Sequence, residues 1–201
     1  MSSAFGEASK FLPEVRGPDG FIQTQAYLNI CKQVLPVVDK LGTAFALVKT
    51  DIGGNIERLS QRTAQNPERY VRLFTLVTDE VVENTHMGSS SCTKGLLWLK
   101  RAMEFICAVL RRLHDDPTAS MGTVVTETYG MTLMRYHGFF ASSAFSLAFK
   151  FVPSREQFFA NVGRGPEVMV ELKAFVDGFS PVLAEIHKFL DEQGLDDPTK
   201  V

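Results

Sequence analysis

Apolar residues recur along this chain at spacings of three and four, the period of helices buried on one side. Phe45, Val48, Ile52, Ile56 and Leu59 form one such stripe, in a helix predicted over 43–62. Leu96, Leu99, Met103, Ile106, Leu110 and Leu113 form another, over 93–113. Thr24 is read as the cap of a helix over 24–41, with Pro36 as a kink and Gly42 as its stop. Asn66-Pro67-Glu68 reads as a cap followed by proline at the first helical position, opening a helix through Tyr70, Leu73, Phe74, Val77, Val81 and Val82. A short helix follows over 118–129, and a longer aromatic one over 131–151, ended by Pro153. Ser154 and Gln157 have capping-box spacing. Gly165-Pro166-Glu167 opens the last long helix, which Ser180-Pro181 restarts or kinks and Gly194 ends. Residues 1–22, with Pro13, Gly17, Pro18 and Gly20, are expected to be an irregular lead-in. No strand series, repeat or second domain is visible. The expectation is an all-α, two-layer helical sandwich of seven to nine helices, one domain over 23–201.

The polar positions add to this. Asp51, Asn55 and Arg58 share helical spacing, within about 60° of arc, and flank the apolar stripe rather than opposing it. An acceptor, an amide and a guanidinium therefore stand together at the edge of a core-facing surface. Such a row suits a hydroxyl-rich group whose other end enters the core, and it equally suits a solvated helix face with an Asp51–Asn55 hydrogen bond. Gly53 and Gly54, each costing roughly 1 kcal/mol in mid-helix, suggest a packing or approach requirement. Trp98 lies about 100° off the core stripe of its helix, towards Lys94, Arg101 and Phe105. It reads either as a cover for a neighbouring loop or as a stacking platform for the apolar face of a sugar. His137, within Tyr136-His137-Gly138-Phe139-Phe140, is either a satisfied core histidine or a functional one.

Composition bounds the function. The chain has 201 residues, 45% of them hydrophobic, with 16 Phe and a single Trp, which suffices for a substantial core. A formal net charge of −2 gives no electrostatic case for nucleic acid. The N-terminus lacks a signal-peptide pattern, and no apolar run reaches the roughly 20 residues needed to span a bilayer. Cys31, Cys92 and Cys107 fit neither a disulfide framework nor a zinc site, and suit reduced core thiols in the cytosol. The four histidines have no ligand spacing, so no metal is expected. No dinucleotide fingerprint, phosphate loop or nucleophile elbow is present, and Gly163-Arg164-Gly165-Pro166 reads only as a loop before a helix. Neither an enzyme nor a cofactor is expected.

Three motifs in order, Asp51-Ile-Gly-Gly-Asn55-Ile-Glu-Arg58, Leu96-Leu97-Trp98-Leu99-Lys100-Arg101 and Tyr136-His137-Gly138-Phe139, resemble the glycolipid transfer proteins from about residue 10 onward. The resemblance implies a two-layer fold that takes lipid chains between its layers and moves glycosphingolipids, most simply glucosylceramide, between membranes. It implies that Asp51 binds the ceramide amide N–H and a sugar hydroxyl. Asn55 and Arg58 would bind sugar hydroxyls, Trp98 would stack on the first sugar, and His137 would donate to the acyl carbonyl. Phe45, Val48, Ile52, Phe105, Val109 and Phe145 would line the chain tunnel, and Phe139, Phe140 and Lys150 would dock on the membrane. Arg58 stands where the family usually has lysine, and Phe139 where it has a docking tryptophan. A tyrosine that the family carries near its chain end is absent from Pro198-Thr199-Lys200-Val201. Relatives that carry ceramide-1-phosphate have lysine at the position of Asn55 and arginine near that of Trp98; the residues here favour a neutral headgroup. At about 0.8 kcal/mol per methylene, a lipid with roughly 30 of them costs on the order of 24 kcal/mol in water, so a carrier must hide both chains. A monomer is expected, because the tunnel accounts for the apolar excess. A lipid sensor that binds the same ligand and releases it slowly is the competing reading.

Overall fold

The computed structural model describes residues 3–201 apart from Arg164 and the side chain of Ala44. Nine α-helices occur among the described residues. These are α1 (Ala4–Ser9), α2 (Thr24–Lys40), α3 (Ala46–Gln65), α4 (Leu73–Val82), α5 (Cys92–Asp115), α6 (Met121–Met131), α7 (Phe139–Ala148), α8 (Arg155–Val162) and α9 (Glu167–Glu192). The described residues hold no strand, only isolated bridges at Arg16–Ile22 and Gln23–Arg72. The architecture is the expected two-layer helical sandwich: α5 packs against α3, α6 and α9, while α2 packs against α3 and α1, and α1 closes back onto α9. One continuous apolar core runs between them, from Phe5 and Tyr27 through Ile52, Leu99 and Phe105 to Phe179 and Leu190.

Helix ends follow local chemistry where caps are present. Ser91 Oγ accepts from Lys94 N–H at 3.1 Å. The buried carboxylate of Glu80, on α4, accepts from Cys92 N–H at 2.6 Å, Thr93 N–H at 2.8 Å and the Thr93 hydroxyl at 2.7 Å. An anion thus meets the first free amides of α5 and the positive end of its dipole. The Ser154–Gln157 capping box forms as its spacing predicts. α9 runs unbroken through Pro181, and Gly194 takes a φ of 67° just beyond it.

Five expectations are corrected. Residues 1–22 are not wholly irregular: Ser3 Oγ caps α1 by accepting from Phe5 and Gly6, and Phe5 and Ala8 are buried. Six residues are too few to show a helical period. Thr24 is not a cap but the first residue of α2, and its hydroxyl donates to Tyr70 O at 2.6 Å. That bond, with Leu73 N–H donating to Ile22 O at 2.9 Å, pins the backbone after Asn66-Pro67. The start signal there yields only a 3₁₀ turn, Arg69–Val71, and α4 begins at Leu73. The helix at 118–129 instead starts from a Ser120 cap. Finally, 131–151 is not one helix. It divides into a 3₁₀ turn Met134–Tyr136, α7, and a 3₁₀ turn Phe149–Phe151. His137 is extended (ψ 133°), because Gly138 N–H donates to Val201 O at 2.7 Å and Val201 N–H donates to Tyr136 O at 3.0 Å. Pairing with the last residues replaces the helical bonds at this joint. The loop expected at Gly163-Arg164-Gly165-Pro166 falls partly on Arg164, outside the described residues.

Candidate functional site

α3, α5 and the joint before α7 converge on a cavity of about 370 Å³. Asp51, Trp98 and His137 line it, with Leu47, Val48, Ala102, Leu133, Phe145 and Val201. Polar groups few in number over an apolar wall are the usual character of a small-molecule site.

Each polar residue is held by its element. Asp51 stands exposed on the outer edge of α3, yet burial of its surroundings raises its carboxyl pKa, opposed by the Asn55 hydrogen bond and the Arg58 charge. Asn55, one turn on, is buried and does not line the cavity itself. Arg58 turns along α5, donating to Ser91 O at 3.3 Å. It passes over Gly95, where a Cβ would lie 3.1 Å from Arg58 Cδ and 2.9 Å from Leu59 Cδ1, so a larger residue there would make these side chains shift. The stripe expected on α3 is therefore real, but only its first member faces the cavity. A Cβ on Gly53 or Gly54 would meet nothing within 4 Å, so packing inside the chain does not explain these glycines.

Trp98 lies half-buried on α5 with its ring stacked on His137, centroids 5.9 Å apart and planes 17° from parallel. Arg101 braces it from behind. This buried guanidinium sits 3.4 Å from the Tyr136 centroid and 5.0 Å from the Trp98 ring. Its Nη2 donates to Asp196 at 2.9 Å and to the Asp197 carbonyl at 2.7 Å. Lys100, also buried, is neutralised by Glu104 at 3.1 Å and donates to His187 Nδ1 at 3.0 Å. Lys100 and Arg101 thus already have protein partners.

His137 is buried among Trp98, Tyr129 and Phe145. Burial first, and the Arg101 charge second, lower its pKa, so its neutral form is favoured. Its Nδ1 lies 2.9 Å from the Tyr129 hydroxyl.

Of the six expected tunnel residues, Val48 and Phe145 line the cavity. Phe45, Ile52, Phe105 and Val109 are fully packed in the core beyond it. Phe139 (79% exposed) and Phe140 (87%) project outward from the first turn of α7, Lys150 is exposed further along, and Leu147 and Phe151 are exposed apolar neighbours. Sequence reasoning missed Leu47, Ala102, Leu133, Tyr129 and Val201. Ala102, four residues after Trp98, had a signal in the helical period. Tyr129 and Val201 had none, since the broken joint places them. Among the described residues no cluster of metal-ligating side chains occurs, and no helix is long and apolar enough to cross a membrane.

These features can be set beside known proteins. The family profile for glycolipid transfer protein matches residues 22–164. Glycolipid transfer protein 1 of Arabidopsis thaliana is 40% identical over 186 residues, covering 92% of each chain. Human pleckstrin homology domain-containing family A member 8 is 38% identical over 143 residues, 71% of this chain and 27% of that protein. The solved structure of FAPP2, which selects simple glycosphingolipids using the same fold, superposes with a TM-score of 0.92 at 29% identity over 100% of both chains. Mouse ceramide-1-phosphate transfer protein, at 20% identity, shares the fold, with a TM-score of 0.90 over 98% of this chain and 99% of that one. With its three motifs gathered around one apolar cavity and these likenesses along most of its length, this chain belongs to the glycolipid transfer protein family.

Proposed function

We propose that the protein carries simple neutral glycosphingolipids, glucosylceramide foremost, between membranes without altering them chemically. The observation that carries this reading is Trp98. An uncharged ring stands at an apolar cavity beside the carboxylate of Asp51, and the nearby cations Lys100 and Arg101 are already paired. A sugar stacked on Trp98 places its hydroxyls before Asp51, with Asn55 and Arg58 supporting that row, and His137 reaches the amide region. A phosphate headgroup would instead want free cations.

The lipid chains follow the apolar wall from Val48 and Phe145 inward. Phe45, Ile52, Phe105 and Val109 part to admit them, since these residues close the path in the state described. Phe139, Phe140 and Lys150, with Leu147 and Phe151 beside them, meet the bilayer during loading, and the carrier works as a cytosolic monomer.

Transfer of labelled glucosylceramide between vesicles, run beside ceramide-1-phosphate, tests this. Glucosylceramide is expected to move fast and ceramide-1-phosphate slowly. Trp98→Ala is expected to slow glucosylceramide at least tenfold, since aromatic stacking contributes about 0.5–1.5 kcal/mol beyond the buried area that is also lost. Faster transfer of ceramide-1-phosphate would overturn the headgroup assignment. Binding without transfer would favour a sensor.

A further inference from the structure

Tyr129 lies on α6, behind the cavity wall, and does not line the cavity. Its ring is buried, stacked on Phe145 with centroids 5.0 Å apart and edge-on to Phe105 and Phe149. A phenol packed this way has one direction left for its hydroxyl. Two groups stand there: His137 Nδ1 at 2.9 Å and Ser142 Oγ at 3.4 Å. The second distance is beyond the usual 2.5–3.0 Å range of hydroxyl–oxygen bonds. Ser142 Oγ also lies 3.4 Å from the His137 carbonyl, to which it can donate.

A phenol has one proton to give. Nδ1 is the nearer of the two acceptors, and a proton given to it requires Nδ1 to be the bare nitrogen of a neutral imidazole. The other nitrogen, Nε2, carries the remaining proton. With Tyr129 on one nitrogen and the ring wedged between Trp98 and Phe145, Nε2–H is left for whatever occupies the cavity. A neutral histidine whose tautomer is set from outside the site is a defined donor, whereas an unset one offers a donor in some molecules and an acceptor in others.

We propose that Tyr129 is a positioning residue that fixes His137 as the Nε2–H tautomer, so that the cavity selects ligands presenting a carbonyl oxygen at that point. The inference rests on the lipid-carrier reading and deepens it. The amide carbonyl of an N-acylated sphingoid base is the acceptor the donor fits, and a base lacking the acyl group has none.

Nitrogen-15 NMR of the imidazole tests the proton placement without any lipid. Wild type is expected to show His137 with a bare Nδ1 and a protonated Nε2, and Tyr129→Phe a mixed or reversed population. Binding is then measured for glucosylceramide and for its deacylated form, glucosylsphingosine. Tyr129→Phe is expected to weaken glucosylceramide about fivefold to tenfold, the worth of one such hydrogen bond, and to leave glucosylsphingosine within twofold. A proton on Nδ1 in wild type overturns the proposal, as does an equal loss for both lipids, which would make Tyr129 merely structural. Should Tyr129→Phe not fold, Ser142→Ala in wild type serves instead: an unchanged tautomer supports the proposal, and a reversed one transfers the role to Ser142. If wild type binds neither lipid, the carrier reading fails while the NMR result still decides the tautomer.

Discussion

His137 shows how one residue's surroundings become a measurable property of the protein. Its folded pKa lies below the ordinary value because burial and the Arg101 charge both penalise the imidazolium. The unfolded chain therefore binds a proton at a pH where the folded one does not. Stability from this group is complete above the unfolded pKa, near 6.5, and is lost as pH falls from there towards the folded value. The slope from one proton cannot exceed about 1.4 kcal/mol per pH unit. Urea midpoints at pH 7.5 and 5.5 should fall further in wild type than in His137→Gln; parallel falls would show that the loss arises elsewhere. The cysteines make the opposite point. Burial pushes the Cys92 and Cys107 thiols up to about 12, and all three are free and buried, as expected of core thiols. Residue types and spacing alone made Asp51, Trp98 and His137 legible as candidates, because each is a polar or amphipathic group set against an apolar pattern. The helical period already set Arg101 beside Trp98, where it lies, but Tyr129 was not legible as the partner of His137, since neither spacing nor composition records which ring a hydroxyl will meet.

Among the elements, α3, α5 and α9 emerge close to their predicted limits because long amphipathic periods leave little choice. Failures concentrate where tertiary backbone bonds compete with helical ones. Asn66-Pro67 is a good start signal, but Thr24 and Ile22 hold the following turn in another path. The aromatic run after Met131 has helical composition throughout, yet its joint at His137 and Gly138 pairs with Val201. The Glu80 contact with α5 is another long-range device hidden from the sequence, and its energy can be estimated. Glu80→Gln removes the charge and one acceptor while leaving buried amides at the helix start. A loss of about 1–3 kcal/mol is expected, or roughly 2–12 °C in Tm at a few degrees per kcal/mol for a chain of this size. Calorimetry of the pair checks it, and an unchanged Tm would show that Ser91 alone suffices as the cap.

At the scale of the whole molecule, the cavity wall and the outward rings of α7 belong to the same short helix: Phe145 faces inward while Phe139 and Phe140 face out. Loading at a bilayer and opening of the chain path would then move one element. Burying a phenylalanine is worth about 1.5–3 kcal/mol, so replacing both Phe139 and Phe140 by serine should slow vesicle-to-vesicle transfer at least tenfold. Affinity for a short-chain glucosylceramide presented without vesicles should stay within twofold. A matching fall in that affinity would place the two rings in the binding site instead.

The bond between Gly138 and Val201 carries a practical lesson for anyone purifying this protein. Val201 borders the cavity and is two-thirds open to solvent (66%), so a bulky label attached at this residue would emerge at the cavity's rim. Such a label would lie beside incoming lipid and load the short backbone pairing that holds the joint extended. Assays of uptake should therefore carry their label near the exposed Lys10, just after α1, which is packed against α9 away from the cavity lining.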